Sequence, residues 1–271
     1  MVHQSLRWGP GEFSESIFSV LAINGRIVVN DFHKRAFAVF SAAGEYVDLR
    51  PYGFAPGPFV HIGGGQVVIF SMDRQRDLAG YPLHLVDIES GVASLHFGSE
   101  DPNNWSAAEF GGDVLTGSVV GSPGTVWWGR RSEPTIEEWS VNNELLRRIE
   151  GELPWFPKPS ETEGRSGKPA PRLRGLALDS QDHLWMLTHV ADRNWREVKR
   201  IEGGVLPSDL YDFSDARLDV FDLREQRHVG RYIWDSVSVR LLEYEGKPAV
   251  SVVEETEAMV PQVVVYQVGW E

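Results

Sequence analysis

Phe18-Ser19-Val20-Leu21-Ala22-Ile23-Asn24-Gly25-Arg26-Ile27-Val28-Val29-Asn30-Asp31 is the stretch whose reading decides the fold. Two apolar runs flank Asn24-Gly25. A two-residue hairpin turn of the favoured hand needs positive φ at both central residues, and Asn-Gly is the pair that adopts it most readily. A polar loop with His33, Lys34 and Arg35 follows, then a third apolar run at 36–40, a turn ending at Gly44, and a fourth run at 45–49. Four short strands joined by a tight turn, a loop and a second tight turn make one propeller blade. The same plan recurs at 58–97, 113–149, 173–233 and 237–268. The chain is therefore expected to be all-β, a single β-propeller domain over 1–271 with five four-stranded blades.

The connections divide into two classes. Asn24-Gly25, Ala43-Gly44, Gly63-Gly64-Gly65, Glu89-Ser90-Gly91, Ser122-Pro123-Gly124, Ser180-Gln181-Asp182 and Glu245-Gly246 are tight turns built from residues that tolerate a bend or positive φ. Residues 51–57, 72–81, 100–112, 155–171 and 188–214 are long and irregular. In a four-strand blade the first-to-second and third-to-fourth connections fall on one face. The tight turns map to that face and the long loops to the other. Loops this long are uncommon unless functional, so binding is expected on the long-loop face. The best helical stretch, the acidic 135–139, reads rather as the lead into a strand.

Composition narrows the function. A net charge of −13 argues against a phosphate backbone as partner, and against docking on anionic lipid. With no cysteine, disulfides, thiolate metal sites and cysteine nucleophiles are excluded. No apolar run approaches the roughly 20 residues that span a bilayer, so no membrane insertion is expected. Met1 is followed by polar His3, Gln4 and Ser5, which is not a signal-peptide core. The chain as written reads as cytoplasmic, and as periplasmic or secreted if an export signal has been trimmed from it.

Gly9-Pro10-Gly11-Glu12-Phe13, followed by strand, Asn-Gly turn, strand and Asn30-Asp31, resembles the NHL-repeat-like six-bladed β-propeller proteins of bacteria. Val39-Phe40, Leu85-Val86-Asp87 and Asp219-Val220-Phe221-Asp222 are similar to that family's third-strand motif. Residues 176–185 are similar to its first two strands. In the family the Gly-Pro-Gly-Glu-Phe run follows three earlier strands of its blade; here only residues 2–8 precede it. Residues 4–8 are expected to act as an outer strand that pairs with 263–268 and closes the ring of five blades. The other reading is a six-bladed propeller without its first blade, with pairing between protomers and hence a homo-oligomer.

The candidate functional residues follow from this plan. His33, His61, His189, Asp31, Asp73 and Glu254 sit near blade positions facing the long loops or the channel. Converging His and carboxylate groups could act as acid and base or hold a metal. The bland reading is that Asp31 caps its loop and each His satisfies a local hydrogen bond. Resemblance to gluconolactonase-like hydrolases admits one Ca²⁺ in the channel, with Asn30, Asp31, Asp73 and Glu254 as ligand candidates; otherwise no cofactor is expected. Arg130, Arg131 and Arg174 could clamp a carboxylate or phosphate, or pair internally with the abundant Asp and Glu. Trp105, Trp155 and Trp195 lie inside long loops, where they could stack on a ligand or pin their own loop. The sequence thus favours a non-enzymatic propeller that recognises a small molecule or protein. The alternative is a metal-assisted, lactonase-like hydrolase or lyase.

Overall fold

The computed structural model describes residues 17–53, 57–71, 80–100, 117–120, 124–129, 135–150, 171–192, 214–235, 239–244, 247–255 and 261–268. Five antiparallel sheets, each in chain order, build the β-propeller fold. Sheet 1 holds β1 (Ile17–Ile23), β2 (Arg26–Asp31), β3 (Ala36–Ser41) and β4 (Tyr46–Pro51). Sheet 2 holds β5 (Phe59–Gly63), β6 (Gln66–Phe70), β7 (Leu83–Asp87) and β8 (Ala93–Phe97). Sheet 3 holds β9 (Gly117–Val120), β10 (Thr125–Gly129), β11 (Thr135–Ser140) and β12 (Leu145–Glu150). Sheet 4 holds β13 (Arg172–Leu178), β14 (His183–Ala191), β15 (Ser214–Asp222) and β16 (Arg227–Trp234). Sheet 5 holds β17 (Val239–Tyr244), β18 (Lys247–Glu255) and β19 (Pro261–Gln267).

Each expected repeat contains one sheet. The fifth has three strands among the described residues, and the strand expected at residues 4–8 lies outside them. No helix occurs among the described residues, and the acidic 135–139 stretch is strand β11. The first hairpin turns as its sequence dictates, with φ 49° at Asn24 and 71° at Gly25.

By its backbone contacts the chain forms two compact units, the first built mainly from sheets 1 and 2, the second mainly from sheets 4 and 5. In the first unit, Val28, Phe37 and Val39 of sheet 1 pack against Phe59, Val67, Ile69 and Val86 of sheet 2. Alternation in both sheets points these residues at each other. In the second unit, Trp185, Leu187, Leu218 and Val220 pack against Val239, Val250 and Val252. The opposite face of sheet 4 presents Leu173, Leu176, Leu184 and Met186 to Trp127 and Ile136. Burying each such side chain stabilises by about 1.5–3 kcal/mol before entropy is counted.

Candidate functional site

Sheet 4 carries the richest grouping of polar side chains among the described residues. β14 and β15 are nine residues each and pair over their whole length, from His183↔Asp222 to Ala191↔Ser214. One end of the sheet is closed by short turns. In the first, the Asp179 carboxylate accepts hydrogen bonds from the amides of Gln181 and His183 and from Trp185 Nε1. In the second, Asp222 Oδ1 accepts from the amides of Arg224 and Glu225. The other end opens into the connections 193–213 and 235–238, as the strand order requires.

At that open end the β13–β14 register slips between Leu173 and Gly175. The slip leaves Arg174 as an extra residue, and bulges of this kind re-aim side chains at strand ends. Arg174 Nε donates to His189 Nδ1 at 3.1 Å. Because Nδ1 accepts, the neutral ring carries its proton on Nε2. Gly175, the next residue, is closely packed: a Cβ there would stand 3.1 Å from Leu241 Cβ, so a larger residue would need that neighbour to yield by a few tenths of an ångström. His189 lies on one rung with Ala216 and Trp234. The Trp234 ring stacks on Tyr232, with centroids 6.2 Å apart.

The opposite face of the same end is acidic. Asp215 pairs with Val190 across the β14–β15 ladder, and Asp192 and Asp235 follow the ends of β14 and β16. One carboxylate oxygen of each lies within 4.8 Å of the others. Asp215 is buried, Asp192 half-buried and Asp235 exposed. Two residues along β15, the Arg217 guanidinium turns toward Asp219, with Nε to Oδ2 at 2.7 Å and Nη2 to Oδ1 at 3.2 Å. Asp219 Oδ1 also accepts from Arg231 Nε at 2.9 Å and His228 Nε2 at 2.8 Å. Burial pushes the Arg217 pKa down, and the Asp219 carboxylate partly offsets it. Asp219 is thus the internal partner of three basic groups and takes a structural part.

Three carboxylate oxygens suit a hard divalent cation, which binds oxygen ligands; Ca²⁺ takes about six to eight, the remainder coming from carbonyls or water. Arg174 is exposed and presents a cation on the other face.

Of the residues singled out from sequence, Arg174 and His189 are brought together. Asp31 is fully buried and caps its loop: its Oδ1 accepts the Lys34 amide at 3.1 Å, and Lys34 Nζ is 4.0 Å from Oδ2. His33 is exposed in the following turn, edge-on to Phe32. His61 is half-buried on β5 opposite Val67. Glu254 pairs with Gln262 across the β18–β19 ladder. Asp73, Trp105, Arg130, Arg131, Trp155 and Trp195 lie outside the described residues. Asp192, Asp215 and Asp235 are not among the residues the sequence singles out. Nothing local marks them, because they meet only once β14, β15 and β16 are set in register across 22 intervening residues, 192–213.

No protein-family model matches the chain, and no curated protein matches it in sequence. Solved structures do match. A member of the DUF4221 family from Bacteroides vulgatus is 9% identical with a TM-score of 0.58, over 96% of this chain and 81% of that one. A candidate exported protein from Bacteroides fragilis is 10% identical with a TM-score of 0.51, over 91% of this chain and 68% of that one. At these identities the likeness is one of fold, and it is that of a β-propeller.

Proposed function

We propose that this propeller is a recognition module that binds a small anionic ligand, a carboxylate or phosphate, at the loop end of sheet 4. The observation that carries the reading is the Arg174–His189 pair. A bulge places an exposed guanidinium at the base of a long connection, and the His189 contact holds it in one orientation. A guanidinium held in this way is suited to carboxylates and phosphates. Function placed on connections carried by rigid strands is the common arrangement. Calorimetric titration with a panel of small carboxylates and phosphate esters tests the proposal. A bound member of the panel should lose about 1–3 kcal/mol of affinity in Arg174→Ala, with unchanged melting temperature. No binder in the panel, or equal affinity in the variant, would overturn it.

The carboxylate cluster favours a second reading, metal-assisted hydrolysis or lysis. Asp192, Asp215 and Asp235 would hold the cation, Ca²⁺ being the first to try. A cation bound there would supply Lewis-acid polarisation of a substrate oxygen. Thermal stabilisation by Ca²⁺ or Mg²⁺, reversed by a chelator and lost in Asp215→Asn, is the result this reading requires.

A further inference from the structure

Outside the loop end of sheet 4, the least expected polar contact is in sheet 2. His84 of β7 and His96 of β8 are directly opposite each other across the ladder. Their Nδ1 atoms are 2.6 Å apart, and the rings meet edge to face with centroids 4.9 Å apart. His84 is fully buried and His96 half-buried. Two nitrogens at that distance must share a proton: one ring donates Nδ1–H and the other accepts it. The contact survives uptake of one further proton, because an imidazolium still donates to a neutral ring. It does not survive two. Both Nδ1 atoms then donate, neither accepts, and two like charges face each other with one of them, on His84, fully buried.

The surroundings offer the pair an apolar seat. On its own sheet the rung holds Ile69 of β6 and Phe59 of β5, with Val67, Val86 and His61 on the next. The sheet packed against this face presents Val28, Phe37, Val39 and Tyr52. Its charged groups on that face, by register, are Arg26, Asp48 and Arg50. Arg26 and Arg50 both bridge to Glu89 in the β7–β8 turn, and Arg50 also bonds Asp48 and the Ile88 carbonyl. The Tyr52 hydroxyl is held neutral by burial and donates to Asn30.

We propose that the His84–His96 pair is a proton-operated latch on the outer strand of sheet 2, closed at neutral pH and released in acid. β8 is joined to the sheet only through β7, so loss of this contact loosens β8 first. Such a latch would let the protein respond to an acidified compartment independently of what sheet 4 binds.

Hydrogen exchange read by mass spectrometry on the full chain, at about pH 7.5 and about pH 5, brackets the ordinary imidazole range. After correction for intrinsic rates, peptides covering β8 should lose protection at least about tenfold in acid, a change of about 1.4 kcal/mol. Peptides covering β2 and β3 of the same unit should not. His96→Gln should abolish the selective loss. Because that variant could fold poorly, the wild type carries its own test. In a proton NMR titration the two ring signals should move together in two separated steps. Equal β8 protection at both pH values, or two rings that titrate independently in single steps, would overturn the latch.

Discussion

Asp219→Ala is the perturbation whose cost the structure sets most directly. Asp219 is fully buried and accepts four hydrogen bonds from three basic side chains. Arg217 supplies two of them and is itself 7% exposed, whereas the side chains of Arg231 and His228 are 41% and 35% exposed. The exposed pairs contribute at most about 1 kcal/mol each. The Arg217 contact differs because removing its carboxylate strands a guanidinium away from water. Breaking a buried pair from one side costs about 3–5 kcal/mol, and the variant should lose about that much. Urea unfolding followed by tryptophan fluorescence reads it, since Trp185 and Trp127 are buried in the second unit. For a chain of this size the loss lowers Tm by roughly 6–20 °C, at about 2–4 °C per kcal/mol. Replacing both partners, Arg217→Met with Asp219→Leu, should recover most of the stability, because no unpaired charge is then buried. A loss under about 1 kcal/mol in Asp219→Ala would refute the reasoning, as would a double variant no more stable than the single one.

Three further outcomes are expected. Burial alone would raise the Asp179 pKa, but hydrogen bonds from the His183 amide, Trp185 Nε1, the Gln181 amide and the His183 ring outweigh it and hold the carboxyl below its ordinary value. A depressed folded value stabilises above the unfolded pKa of about 3.9 and is lost as pH falls through the folded one; the stability gap between wild type and Asp179→Asn should therefore shrink in denaturation curves taken below about pH 4. Gly57→Ala should destabilise strongly, because a Cβ there overlaps the Phe70 carbonyl oxygen, and Gly57 also accepts the Asn30 side-chain amide; thermal melting within 2 °C of wild type, roughly 1 kcal/mol or less, would count against that packing. Asn30→Ala should cost about 1–3 kcal/mol, since it removes the acceptor of the buried Tyr52 hydroxyl, and chemical denaturation measures it.

The blade plan could be read from the chain because its signals are local. Asn24-Gly25 specifies a turn whichever sheet the hairpin joins, and the short apolar run at 36–40 needs only neighbouring residues to show a strand. The loop-cap role of Asp31 was equally local, since its partner is the amide three residues on. Arg174 and His189 could be named as candidates, but not as a pair: their contact depends on a register slip between Leu173 and Gly175 that no residue type announces. The carboxylates of Asp192, Asp215 and Asp235, and the imidazoles of His84 and His96, depend still more on tertiary structure. In a sheet, a one-residue change of register moves every side chain to the other face. Residues 12 to 43 positions apart therefore become neighbours only when the ladders are set. Strand and turn were properties of the local sequence; which charged groups share a face was decided by strand pairing.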